Sequence, residues 1–266
     1  MLLEGKKVLI AGVLTRQSIG YAIAEQAQKA GAEIVLTSFG RVRSITEMTA
    51  KRLNPIPDIL ELDVNKPDDI STVARELQHR WGRLDGLVHS VAYAPADALG
   101  GNFLTAPWES VATALQTSAF SLKELAAGML PLMRENGGSV LTIDFDNSTQ
   151  AWPKYDWMGV SKAALESVVR YLARDLGRHR VRVNAICSGP LATLAAKGIP
   201  GFREFEDIWS DRAPLGWDLK DASSVGKTAC ALLSDYMPMT TGELIHVDGG
   251  YHAMGAELPP EAPATD

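Results

Sequence analysis

The chain has 266 residues, 46% hydrophobic and 22% charged, with a formal net charge of −6. That is long enough for a large core and ordinary for a globular protein. The acidic balance opposes non-specific attraction to nucleic acid or anionic lipid, leaving only a local basic patch open.

The opening segment MLLEGKKVLIAG has no long apolar stretch and no cleavage signal, so neither a leader nor a membrane span is expected. VLIAG (8–12) reads as a short buried strand. Residues 18–30 carry apolar positions at helical spacing, and Gly31 is placed to end that helix. A strand at 33–39, a helix near 43–53 and a strand near 58–62 follow. Residues 67–81 read as helix and 86–92 as strand. A long helical stretch covers about 108–134, then a strand 139–144, a helix 155–178 and a strand 181–187. Residues 221–234 are helical, and 243–249 is the last strand. Nearly continuous apolar strands alternating with helices imply a parallel sheet covered on both faces. With right-handed crossovers the expected fold is α/β: a Rossmann-type, doubly wound, seven-stranded parallel sheet. No composition break marks a second domain. Residues 1–254 are expected to form one domain, with an excursion over about 191–220 that covers a site. Residues 255–266, with three prolines in ELPPEAPATD, are expected to be a disordered tail. Cys187 and Cys230 belong to no CxxC pair and no ligand-spaced cluster. Reduced, buried thiols are therefore expected, with no disulfide framework and no metal site.

The first strand runs into GVLTRQSIG, residues 12–20. Gly12 permits a tight turn and Gly20 a close helix–sheet contact. Ser18 is placed to cap the helix and to offer a hydroxyl to a phosphate, beside the helix's own N–H groups. The spacing is longer than GxGxxG and also fits a plain β–α turn; its place after the first strand favours dinucleotide binding. Asp63-Val64, at the end of the third strand, suits an adenine contact or, alternatively, a turn aspartate. The second strand ends at Ser38-Phe39 without the acidic residue that holds a ribose 2′-hydroxyl. Phe39 can pack on adenine. Arg41 and Arg43 can reach a 2′-phosphate or simply be solvated. NADH is preferred modestly, with NADPH left open.

Tyr155 and Lys162 lie seven apart, about two helical turns, and share a face if both are helical. A lysine can hold a cofactor ribose, and a tyrosine can donate to a developing oxyanion. Such a pair also occurs as plain packing; here it follows a strand end where active sites gather. Phe145, Trp157 and Met158 line an acyl pocket or serve as core. His89 reads as structural, its ring nitrogens needing partners if buried. Asp144 and Asp146 flank Phe145 without other support for glycosidase or metal chemistry. Ser161 has no partners for a hydrolase triad.

At these residues the sequence resembles the short-chain reductase superfamily, and within it the enoyl-acyl-carrier-protein reductases, especially the mycobacterial isoniazid-target type. The resemblance spans about residues 2–253. It is carried by GVLTRQSIG (12–20), LDV (62–64), LDGLVHSVAYAP (84–95), the stretch 144–177, GPLATLA (189–195), RAPLGW (212–217) and TTGELIHVDGG (240–250). It implies Tyr155 as the catalytic tyrosine and Lys162 as the ribose-binding lysine. It implies cofactor binding at Gly12, phosphate contacts from Ser18, Ile19 and Thr193, and adenine contacts from Phe39, Asp63 and Val64. Ala92 stands where the family usually has glycine, beside the phosphates, and Gly40 where a polar or acidic residue often follows Phe39. Tyr93, Phe145, Tyr155 and Met158 would border the substrate. The carbonyl-reducing members carry Tyr-x3-Lys with a serine thirteen residues before the tyrosine. Here Met158 and Phe145 hold those places, so the enoyl class is implied.

The implied activity is NAD(P)H-dependent reduction of trans-2-enoyl thioesters on acyl carrier protein, in type II fatty-acid synthesis, in the cytoplasm, by a homotetramer. The helices near 108–134 and 155–178 would form much of the interfaces. No nucleic-acid or membrane partner is expected. Lys197 and Arg203 are candidates for docking the acidic carrier, or ordinary surface charge. The excursion 197–211 is shorter than in the mycobacterial type, which suggests acyl chains of ordinary bacterial length. A ketoacyl or other carbonyl reductase, an inactive nucleotide-binding regulator and a structural scaffold are the alternatives.

Overall fold

The computed structural model describes residues 1–145, 149–199, 202, 208, 209 and 211–257. Asp146, Arg203 and most of the expected tail therefore lie outside the described residues. Seven strands form one sheet: β1 (Lys7–Ala11), β2 (Glu33–Ser38), β3 (Ile59–Glu61), β4 (Gly86–His89), β5 (Gly138–Asp144), β6 (Val181–Ser188) and β7 (Leu244–Val247). Their order is β3-β2-β1-β4-β5-β6-β7, and every pairing is parallel. The order reverses between β1 and β4, where Ala11 pairs with His89. At such a reversal the loops leaving neighbouring strands diverge to opposite faces, and a crevice opens above the strand ends.

The strands are apolar on both sides because each side packs on helices. Leu9, Val35, Leu87, Val140 and Val183 point to one face. There they meet α3 (Pro67–Trp81), α5 (Ser121–Met133) and α6 (Asp156–Leu176) through Leu77, Leu125 and Leu165. Val8, Ile10, Ile34, Leu36, Val88 and Leu141 point to the other. They meet α1 (Ile19–Lys29), α2 (Arg43–Ala50) and α7 (Ser223–Leu233). The period-two alternation of each strand thus feeds two cores, and each fully buried leucine adds about 1.5–3 kcal/mol. The α1–α7 contact is close enough that a Cβ on Gly226 would meet the Ala22 carbonyl oxygen at 2.6 Å.

The helix over 67–81 falls where the spacing places it. Pro67 opens it, Asp68 and Asp69 occupy its positive first turn, and Gly82 ends it in the left-handed region at φ 67°. The stretch 108–134 is helical throughout but not one regular helix. α4 (Trp108–Leu115) passes into a π-helical segment, Gln116–Phe120, before α5. The wider turn re-aims side chains, so the Ser118 hydroxyl accepts the Tyr93 N–H and donates to the Tyr93 carbonyl, each at 2.9 Å. Hydrophobic periodicity does not register such a turn.

Candidate active site

One cavity of about 570 Å³ lies over the carboxyl ends of β1, β2, β4, β5 and β6. Of the residues marked in the sequence, Gly12, Ser18, Ile19, Phe39, Val64, Ala92, Tyr93, Phe145, Tyr155, Met158, Lys162 and Thr193 all line it. Asp63 does not. Its carboxylate accepts the Asn65 N–H at 3.0 Å, a turn role. Trp157 also stays outside, stacked on Phe103 at 5.0 Å and donating to the Phe103 carbonyl at 3.0 Å.

At one end, Gly12 takes φ 97°, and a Cβ there would sit 1.9 Å from the Ser90 carbonyl oxygen. Only glycine allows β1 and the loop after β4 to come this close. Ser18 occupies the N-cap of α1 but makes no side-chain cap. Its hydroxyl instead donates to the Thr15 carbonyl at 2.6 Å and closes the loop. The first turn of α1 holds no acidic residue. A helix start left open and free of negative charge suits an anion.

Tyr155 and Lys162 line the same cavity. Tyr155 is not within the helix as expected but at its N-cap, and Lys162 follows along α6. Both side chains are buried. The Lys162 ammonium donates to the Ile143 carbonyl at 2.7 Å. Desolvation lowers its pKa, against the raising influence of Asp144 and Cys187. Burial raises the Tyr155 phenol well above the ordinary tyrosine range, helped by Asp144 and Cys187. Tyr155 therefore keeps its proton at neutral pH and can serve as a hydrogen-bond donor. Asp144 and Cys187 were not picked out for this electrostatic part. Register is what brings them here, since they pair across β5 and β6.

His89 is fully buried, with Nδ1 2.9 Å from the Thr142 hydroxyl and Nε2 2.8 Å from that of Ser121. Burial, and secondarily the Lys162 ammonium, pushes it down to about 3. It is a neutral, satisfied strand residue, as read from the sequence.

Behind Phe145 stands an aromatic wall. Phe145 lies 5.4 Å from Tyr155, 5.4 Å from Trp152 and 5.8 Å from Trp209, ring centre to ring centre. Trp209 stacks on Tyr251 at 3.8 Å. Trp152, Trp209 and Tyr251 are dispersed in the sequence and show no shared period. Cys187 and Cys230 are both buried and are not joined in a disulfide. Among the described residues no group of histidine, cysteine and carboxylate could hold a metal ion, and no helix is long and apolar enough to cross a membrane.

A parallel sheet of this order, with its cavity over the reversal point, defines the Rossmann-type α/β class. The family model described as enoyl-(acyl carrier protein) reductase matches residues 12–252. An enoyl-[acyl-carrier-protein] reductase [NADH] from Mycolicibacterium smegmatis is 43% identical over 94% of this chain and 97% of its own. The one from Mycobacterium avium is also 43% identical, over the same shares. The FabI enzyme of Aquifex aeolicus is 39% identical over 96% of this chain and 94% of its own. The chain belongs to the enoyl-(acyl carrier protein) reductase family, as the sequence resemblance implied.

Proposed function

We propose that the chain, through a single domain spanning 1–254, reduces the C2–C3 double bond of trans-2-enoyl thioesters on acyl carrier protein, using NADH, in cytoplasmic type II fatty-acid synthesis. The observation that carries this reading is Tyr155 and Lys162 lining one cavity, with Phe145 and Met158 where a ketone reductase needs serine and tyrosine. The cavity fits the cofactor. The uncapped start of α1, with Gly12, Ser18, Ile19, Ala92 and Thr193, takes the diphosphate. Val64 and Phe39 take the adenine, with Asp63 beside them. Lys162 takes the nicotinamide ribose.

When bound, the dihydronicotinamide supplies a hydride to C3. Lys162, fixed by Ile143, keeps positive charge next to that ribose in a site of low dielectric. As the C2–C3 π electrons move toward the carbonyl, negative charge collects on the thioester oxygen. The Tyr155 hydroxyl donates to that oxygen and stabilises the enolate. A proton from solvent, direct or relayed through the Tyr155 hydroxyl, adds at C2 and completes the saturated thioester. Tyr93, Phe145 and Met158 hold the acyl chain and exclude water.

Lys197, exposed beside the cavity residues Ala196 and Gly198, offers a positive charge for the acidic carrier. Trp108 on α4, Phe120 in the π-helical segment and Tyr171 on α6 leave large side chains exposed, which supports a homotetramer using these helices. Sedimentation velocity reads that assembly directly.

The test is NADH oxidation with a trans-2-enoyl thioester beside the matched 3-ketoacyl thioester. Turnover of the enoyl substrate alone is expected, and turnover of the ketone instead would defeat the assignment. Tyr155→Phe should lower kcat by about a hundredfold while NADH affinity holds. Unchanged turnover would remove Tyr155 from its role.

A further inference from the structure

The end of β2, Ser38-Phe39, carries no acidic residue, and Gly40 follows. In this fold that corner receives the adenine ribose, and an acid there favours a 2′-hydroxyl over a 2′-phosphate. The structure brings an acid to the corner from the neighbouring strand. Ser38 of β2 pairs with Glu61 of β3. One Glu61 carboxylate oxygen accepts the Gly40 N–H at 2.9 Å, and the other accepts from Arg43 at 3.0 Å. The adjoining Ser38, Phe39 and Val42 line the cavity.

The same contacts occupy Arg43. Its three guanidinium nitrogens donate to Glu61, to the Glu47 carboxylate at 3.0 Å and to the Ile59 carbonyl at 3.0 Å. Arg43 would otherwise be a natural ligand for a 2′-phosphate; two of its five N–H groups have no acceptor among the described residues, but its fork is aimed at β3 and its charge is offset by two carboxylates.

We infer that Glu61 is the residue that sets the preference for NADH over NADPH, by placing a carboxylate at the ribose corner and by holding Arg43 away from a 2′-phosphate. This rests on the cofactor orientation proposed above. A 2′-phosphate adds roughly −1.5 to −2 charges, as phosphomonoesters do. It would meet the carboxylate's charge and find Arg43 already bound. The Gly40 N–H and Arg43 both favour the ionised carboxylate, in that order, so the repulsion persists through the neutral range.

The experiment compares wild type, Glu61→Gln and Glu61→Gln/Arg43→Ala for kcat/KM with NADPH and with NADH, at low and high salt. All these positions are partly exposed, and none lies in the proposed catalytic machinery. For Glu61→Gln the NADPH-to-NADH ratio should rise by about five- to tenfold, a magnitude set by solvent screening, and through KM. The gain should shrink at high salt, because a newly formed Arg43–phosphate contact is screened. The double variant should lose most of it. A ratio unchanged by Glu61→Gln overturns the inference. Fluorescence titration of the wild type with NADH separates the two readings: absence of saturable binding overturns the cofactor site itself, whereas normal binding with an unchanged ratio overturns only the part given to Glu61.

Discussion

The Asp156 carboxylate accepts the backbone N–H of Gly101 at 2.6 Å, tying the start of α6 to the loop before α4. The same oxygen accepts from Asn102 at 3.0 Å, and the Lys154 carbonyl accepts from Gly100 at 2.9 Å. Lys154 and Asp156 flank Tyr155 and both take left-handed backbone conformations, φ 64° and 42°. Side chains with a Cβ hold such conformations only where the surroundings impose them, and the loop contacts do so here. Replacing Asp156 by alanine should let Tyr155 drift and lower kcat by about tenfold, with little change in NADH affinity. Asp156→Asn keeps one acceptor oxygen and should retain most activity. Stopped-flow single turnovers beside NADH titration would read both; a loss of NADH affinity that matches the fall in kcat would refute the positioning role.

Lys162 donates to Ile143 and lies buried in the cavity wall, so its ammonium has a fixed place. Lys162→Met should weaken NADH binding by about ten- to a hundredfold, the range of one lost charge-assisted hydrogen bond. Isothermal titration is the direct measurement. Unaltered NADH affinity in a folded variant would show that the ribose is held elsewhere.

Trp152 backs Phe145 and leans on Trp209, which stacks on Tyr251. This wall closes the space behind Phe145. Trp152→Ala should extend the acyl site and raise kcat/KM for a trans-2-hexadecenoyl thioester relative to trans-2-octenoyl by severalfold. The half-buried indole should cost about 2 kcal/mol of stability when removed. Equal ratios in wild type and variant would place the chain-length limit away from this wall.

His89 has a folded-state pKa of about 3, below its unfolded value of 6.5. The unfolded chain therefore binds the extra proton first. The stability this neutral histidine contributes is full above pH 6.5 and falls as pH drops below it toward 3. Between about pH 8 and about pH 5 the loss should be about 2 kcal/mol. Urea melts of wild type and His89→Gln across that span should show the wild type falling more steeply. Parallel slopes would mean that His89 is not the group that titrates.

The strand–helix alternation and the two-faced apolar strands were legible along the chain, because each rests on residues within a few positions of one another. The Tyr155–Lys162 pair was legible from its spacing, although Tyr155 sits at the N-cap of α6 and only Lys162 lies within the helix. Local hydrogen bonding and sheet order decided the rest. Asp63 and Val64 are adjacent, yet only Val64 reaches the cavity, since the carboxylate is taken by a local turn. Ser18 turned its hydroxyl into the loop and left the helix start open. Glu61 reaches Gly40, twenty-one positions away, because β3 lies beside β2. Asp144 and Cys187 flank the catalytic pair through the β5–β6 register, and Trp152, Trp209 and Tyr251 converge from three separate segments. Local patterns record how each segment buries its own apolar face. They carry no account of which segment becomes its neighbour, and that is settled only when the sheet assembles and every strand edge finds its partner.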